Sequence, residues 1–285
     1  MTSTAQNVVI PSKNLDMPGQ LLVPTGISTV ALHGDGAANT STDTLAASTA
    51  ATGARFPTLV VLHDIYGLDD ATGQAAARLA DLGYITLAPD LYAHSGGPQD
   101  TSSEIALVNF TLSLPDSRLI GDTLAAVQWL TQRDDVDADR IGIIGWGWGG
   151  AYALMAAAHD PRVRVIVDIG GHITYAVLTA EKPGSPLNFV ANLDGVLFAA
   201  FPGNDPWLPK NEIERLAARL SEHDKTGEVK TYSDAPPRFW RDESLPQTAR
   251  LWSSLQSFLR DNLADPDASD EPMGAYPNEQ SRLHA

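Results

Sequence analysis

Residues 140–150 read Arg-Ile-Gly-Ile-Ile-Gly-Trp-Gly-Trp-Gly-Gly, an apolar strand that runs into a glycine-rich turn and then a helix. Gly145-Trp146-Gly147-Trp148-Gly149 has the spacing of a nucleophile elbow, G-x-Nuc-x-G, in which a Ser or Cys sits on a strained strand-to-helix turn. Here the central residue is Gly147. Glycine accepts the positive φ of that turn more easily than any other residue, but it has no side chain with which to attack a carbonyl. The same residues also spell G-x-G-x-x-G through Gly145, Gly147 and Gly150, and Asp168 lies 18 residues past Gly150 at the end of the next apolar run. That is the layout of a dinucleotide site, with the glycines under the pyrophosphate and the acid on the ribose. Trp146 and Trp148 between the glycines would obstruct a pyrophosphate, so the dinucleotide-binding oxidoreductase stands as a third reading.

Other groups are available for chemistry. The histidines are His33, His63, His94, His159, His172, His223 and His284. His172 follows Gly170-Gly171 at a predicted strand end, where sites form in open α/β sheets. Asp64 follows the third predicted strand and is a candidate base. There is no cysteine, hence no thiolate and no disulfide. No His pair at i, i+4 has a carboxylate partner, so no metal or other cofactor is expected. A net charge of −16 disfavours nucleic acid and anionic membrane, both of which need a basic surface. The N-terminal residues carry neither a basic segment nor an apolar one, and no apolar run approaches the ~18 residues of a membrane span. The expectation is a cytoplasmic protein.

These groups need a scaffold, and the apolar periodicity supplies one. Strands are predicted at 8–10, 20–23, 58–62, 84–88, 141–144, 163–168, 196–201 and 229–232. Helices are predicted at 70–82, 116–133, 151–159, 211–223 and 244–263. Residues 93–115 read as a polar, irregular connection with some helical character. The continuous β-branched runs at 58–62 and 141–144 suit strands buried on both faces. Alternating strands and helices predict an α/β fold, a mostly parallel sheet with helices on both faces. Residues 34–54 are rich in Gly, Ala, Ser and Thr and are expected to be a flexible insertion; the acidic 264–285 is expected to be a disordered tail. Residues 1–263 then make one domain.

Five segments, in order, resemble the dienelactone hydrolase (carboxymethylenebutenolidase) family of the α/β-hydrolase superfamily. They are Val60-Val61-Leu62-His63-Asp64-Ile65-Tyr66-Gly67-Leu68; Gly83-Tyr84 leading to Leu87-Ala88-Pro89-Asp90-Leu91-Tyr92; Asp139-Arg140-Ile141-Gly142 feeding the elbow; Pro202-Gly203-Asn204-Asp205-Pro206; and Tyr232-Ser233-Asp234-Ala235-Pro236-Pro237-Arg238-Phe239. The resemblance implies an α/β-hydrolase fold and a Cys or Ser, Asp, His triad. Its nucleophile falls on Gly147, its acid on Asp205 and its histidine on Pro237, so two of the three are substituted. The resemblance also implies an oxyanion hole from the backbone N–H groups of Ile65 and Trp148, which side-chain changes leave intact. Asp64 takes the place where the family often has a Glu. Arg241 matches a position that binds a substrate carboxylate. Trp146, Trp207, Phe239 and Trp240, with Trp148, are expected around the pocket.

The leading expectation is a hydrolase-family member that has lost its activity, a pseudoenzyme that acts as a binding or assembly subunit. Its partners would be another protein, a second copy, or a small aromatic or carboxylate ligand. The alternative is an active ester or lactone hydrolase with a rearranged site using Asp64, Asp205 or His172.

Overall fold

The computed structural model describes residues 55–263 and, ahead of them, residues 3, 5–12 and 15–24. The expected insertion at 34–54 and tail at 264–285 lie outside the described residues. An eight-stranded sheet runs in the order β1 (Gln6–Pro11), β2 (Asp16–Leu22), β4 (Ile85–Pro89), β3 (Phe56–Leu62), β5 (Val136–Trp146), β6 (Val163–Ile169), β7 (Val196–Pro202), β8 (Gly227–Tyr232). β2 is antiparallel to both β1 and β4, and every pairing from β4 through to β8 is parallel. This is the mostly parallel α/β architecture that the alternation predicts.

The helices are α1 (Asp70–Asp81), α2 (Glu104–Ser113), α3 (Asp116–Thr131), α4 (Trp148–Ala157), α5 (Lys210–Glu222) and α6 (Pro246–Leu263). α1 and α6 cover one face: Leu79, Leu251, Leu255 and Leu259 pack with Val61, Ile144 and Val167 of the strands. α3, α4 and α5 cover the other, where Leu119, Val127, Met155 and Leu216 meet Val60, Ile143 and Ile166. Consecutive strand residues therefore point into opposite cores, the reason β3 and β5 read as unbroken apolar runs. Caps fix the starts. Asp69 accepts from the Thr72 N–H (3.0 Å) at α1, and Ser103 accepts from the Ala106 N–H (3.2 Å) at α2. No helix among the described residues is long and apolar enough to cross a membrane.

Among the elements whose bounds differ from the sequence reading, two bear on the site. β5 reaches back to Val136, because Val136 pairs with Phe56 ahead of a register shift. Residues 104–113, read as part of an irregular connection, form the regular helix α2. It buries only Leu107 and Thr111, one turn apart, so its apolar stripe is too narrow to stand out as a period.

A polar knot joins the loop after β6 to this framework. Lys182 is 1% exposed, and its Nζ donates to Asp116 Oδ1 (2.7 Å), Tyr152 Oη (2.6 Å) and the Leu114 carbonyl (2.8 Å). The Tyr152 and Tyr175 hydroxyls donate to the same Asp116 oxygen, at 3.0 and 3.2 Å. Burial lowers the Lys182 ammonium from its usual range, and Asp116 opposes that shift. Removing one partner of such a pair strands the other charge in the interior. Lys182→Met is therefore expected to cost about 3–5 kcal/mol in urea unfolding. Adding Asp116→Asn, which removes the stranded charge, is expected to recover part of that loss. Equal losses in the single and double variants would show that the pair is not the linchpin of the loop.

Candidate functional site

The turn after β5 is built by steric demand. A Cβ on Gly145 would lie 2.0 Å from the Gly149 carbonyl oxygen, and one on Gly149 would lie 2.6 Å from the His63 carbonyl oxygen. The chain thus passes against the end of β3 with no room for side chains. Gly147 follows with φ 52° and ψ −124°, at the N-terminus of α4. Its N–H donates to the Ile169 carbonyl (2.8 Å), tying the turn to β6. This is the conformation in which an elbow nucleophile would be presented.

The space over Gly147 is occupied. A Cβ there would fall 2.0 Å from Asp64 Oδ1 and 2.2 Å from Asp64 Cγ. Asp64 is 2% exposed. Its Oδ1 accepts from the Trp148 N–H (3.1 Å), and its Oδ2 accepts from Arg238 Nε (3.0 Å). Arg238 Nη1 donates to Glu104 Oε2 (2.8 Å), while the Tyr66 hydroxyl donates to Glu104 Oε1 (2.7 Å). The Asp64 carboxylate therefore lies where a nucleophile would project, and takes up one of the two N–H groups expected to hold an oxyanion. Burial works against the Arg238 charge, yet the Asp64 carboxylate beside it holds the guanidinium above its usual range. Arg238 itself sits at φ 52°, one of two described non-glycine residues with positive φ.

A cavity of about 140 Å³ opens beside this ion pair. Its floor is Asp64, Gly147 and Trp148; Asp205, Trp207 and Leu208 form one wall, Glu104, Ile105 and Val108 of α2 another, and Gly170, His172, Arg238 and Trp240 close it. The Trp148 ring packs at a tilt against His172 (ring centroids 4.4 Å apart) and stacks with Tyr175 (5.9 Å). Burial pushes the His172 imidazole down to about 4, with the Arg238 charge adding to the effect, so it is neutral at pH 7. Burial raises the Asp205 carboxyl; the Trp207 N–H on its Oδ1 (2.8 Å) opposes this. No group of three or more His, Asp or Glu among the described residues is placed to hold a metal ion.

Several expected positions fall elsewhere. The Pro237 side chain is exposed and does not line the cavity; the next residue, Arg238, does. Arg241 turns away to Asp69 (2.7 Å) and lies over the Tyr66 ring, so it is not free for a carboxylate in this cavity. It borders a second cavity of about 50 Å³, together with Trp146, Trp252 and Arg78. Trp146 therefore belongs to that neighbour, and Asp64 and Trp240 divide the two spaces. Phe239 is buried against Tyr232 and Trp240 and supports the wall from behind. Trp207 is 57% exposed at the mouth. The Ile65 N–H makes no hydrogen bond among the described residues. His63 is structural: Nδ1 bonds the Asp64 carbonyl (2.8 Å) and Nε2 accepts from the Leu91 N–H (3.1 Å). Arg238 and Glu104 were missed by sequence reasoning. Arg238 stands in the segment assigned to the triad histidine, one residue along, and Glu104 follows the Ser103 cap.

The geometry also speaks against the dinucleotide reading. Asp168 is 1% exposed and faces inward; its Oδ1 accepts from the Gly171 N–H (2.7 Å) and lies 2.0 Å from where a Gly150 Cβ would be. It cannot reach a ribose.

The model of the dienelactone hydrolase family matches residues 43–262. A protein of Bradyrhizobium sp. described as a "probable 2-oxo-3-(5-oxofuran-2-ylidene)propanoate lactonase" is 32% identical over 210 residues, 72% of this chain and 84% of that protein. A crystal structure of a "Putative Dienelactone Hydrolase" from Klebsiella pneumoniae superposes with a TM-score of 0.75 at 22% identity, covering 90% of this chain and 98% of that one. A dienelactone-hydrolase-like promiscuous phosphotriesterase from metagenomic libraries gives a TM-score of 0.68 at 19% identity, over 92% and 99%.

Asp168 yields a test of the interior of this site. Burial pushes its carboxyl up to about 7, with the Gly171 N–H opposing. A carboxyl raised on folding binds more protons in the folded state, so its contribution to stability is present at low pH and lost as pH rises through about 7. Asp168→Asn has no such loss. The stability of the variant relative to the parent is expected to rise by about 2 kcal/mol between pH 5 and pH 8 in denaturant titrations. A difference that does not move with pH would show that Asp168 is already ionised at pH 5.

Proposed function

The chain belongs to the dienelactone hydrolase family, and we propose that this member keeps the family's ligand cavity but has given up covalent hydrolysis, so that it works by binding a small organic molecule. The observation that carries this reading is the Asp64 carboxylate over Gly147. Covalent acyl transfer needs a nucleophile, a base to activate it and a vacant oxyanion hole. At this turn the nucleophile is glycine, the segment of the histidine supplies Pro237 and Arg238, and the Trp148 N–H is taken by Asp64. Both Asp64 oxygens are held by donors, one of them cationic, so each already has a partner in the place where water would bind.

The walls argue for binding. They combine indole faces, aliphatic side chains of α2 and a few polar groups, the usual make-up of a small-molecule pocket. The assembly role expected for residues 34–54 and 264–285 rests on segments outside the described residues, so the ligand carries the proposal. An active hydrolase with a rearranged site is favoured by one observation, that Asp205 and the neutral His172 both face the cavity.

An ester assay separates the two. An oxyanion hole without its triad still leaves about 10³-fold catalysis over water in a well-studied protease. With the Trp148 N–H occupied, the parent is expected to accelerate p-nitrophenyl acetate hydrolysis by less than about 10³-fold. Turnover well above that level and abolished by Asp205→Asn would establish the rearranged hydrolase. Gly147→Ser alone is expected to gain no activity and to lose about 1–3 kcal/mol, since its Cβ meets Asp64 in a strained turn. Adding Asp64→Ala is expected to return part of that stability, seen as a favourable coupling in a double-mutant cycle.

A further inference from the structure

Hydrogen-bonding capacity in the larger cavity is distributed unevenly. Glu104 has both oxygens bonded, to Tyr66 and Arg238, and Asp64 has both bonded, to Trp148 and Arg238. Arg238 spends Nε and Nη1 on those two carboxylates, which leaves one guanidinium nitrogen, Nη2, whose charge is already faced by two anions. Asp205 differs: Oδ1 accepts from the Trp207 N–H, and Oδ2 makes no hydrogen bond among the described residues. Taken together, the lining holds Asp64, Glu104 and Asp205 against a single cation, Arg238, with His172 neutral. Arg241, expected to receive a carboxylate, is committed to Asp69.

The remaining surface is aromatic and aliphatic. Trp148, Trp207 and Trp240 line the space, and indole is the ring type that attracts a cation most strongly. The volume of about 140 Å³ is close to that of an engineered cavity of about 150 Å³ that holds benzene, so one ring with a short polar arm fills it. The chain's overall charge of −16 adds a long-range field of the same sign.

We infer that this cavity selects a small aromatic cation, a protonated primary amine on a ring-sized body, with the ammonium on Asp205 Oδ2 and the ring among Trp148, Trp207 and Trp240. The inference rests on the reading of the cavity as a ligand site and adds the charge class of its occupant. It reverses the carboxylate ligand that the family resemblance suggests. The ammonium has three donors, suiting an open carboxylate oxygen and the acceptor nitrogen of a neutral imidazole. An incoming carboxylate would instead meet three others and compete for a guanidinium already paired twice.

The test is calorimetric titration of the full chain at pH 7 and low salt with three probes of one shape: benzylammonium, benzyl alcohol and benzoate. Benzylammonium is expected to bind about tenfold or more tightly than the neutral alcohol, and benzoate more weakly than the alcohol. Asp205→Asn is expected to bring benzylammonium down to the affinity that the same variant shows for benzyl alcohol. Benzoate binding as tightly as benzylammonium, or an ammonium preference that survives Asp205→Asn, would overturn the charge assignment and leave the cavity as a ligand site. No binding of any probe up to millimolar concentration would overturn the ligand-site reading itself.

Discussion

A buried carboxylate has to be compensated where it lies, and Asp64 shows how much structure that requirement organises. At 2% exposure its charge is acceptable only because the Trp148 N–H and the Arg238 guanidinium meet its two oxygens. Each donor imposes a condition of its own. The Trp148 N–H points at Asp64 because it opens α4, where the first amides have no helical acceptor. Arg238 reaches Asp64 from 174 residues away through a left-handed backbone that most side chains avoid. Gly147 must lack a side chain because the carboxylate fills the space above it. Breaking one side of such an arrangement leaves a stranded charge, a larger penalty than the net worth of the pair.

The walls of the cavity are stiffened by a second set of contacts on the far side of Trp148. Its indole packs against His172 and Tyr175, and the Tyr175 hydroxyl ends on Asp116, where Lys182 and Tyr152 also converge. The loop after β6 thus carries His172 into the site on a segment pinned to α3 and α4. Beside His172, Trp240 lies over Gly170, where a Cβ would come within 2.3 Å of the ring. A site whose rings are locked by packing loses little freedom when a ligand arrives, which favours tight binding of a rigid molecule. Of the three indoles lining the cavity, Trp207 alone is exposed, at the mouth.

How much of this could be read in advance depends on the range of the interaction. β3, β5, β6 and β7 announce themselves as apolar runs because each is buried on both faces, and α1, α5 and α6 through their periodic stripes. The elbow was evident at Gly147 because its spacing is local, and the emptiness of the position was evident with it. α2 escaped because two buried residues make no pattern. Arg238 and Glu104 escaped for a different reason. Neither has a local signature, and their value comes from meeting Asp64 and each other across 174 and 134 residues of chain. Lys182 and Asp116 are the same case: each reads as an ordinary surface charge until the fold buries them together. Arg241 was misplaced because position along the chain does not tell which way a side chain turns, and Asp69 was nearer.

Gly147, Asp64 and Arg238 are therefore better regarded as one coupled arrangement than as a glycine with incidental neighbours. A serine at 147 is incompatible with Asp64 as it lies, and removing Asp64 leaves Arg238 with Glu104 alone and the Trp148 N–H without an acceptor. A histidine at 237 would in addition start from an exposed position that does not line the cavity. Each single step toward a triad costs stability before it returns any chemistry, since catalysis by such groups is strongly non-additive. Physical coupling of this kind makes the non-covalent arrangement a stable alternative occupant of the scaffold. The same groups shape the floor of the cavity, where Asp64, Gly147 and Trp148 meet.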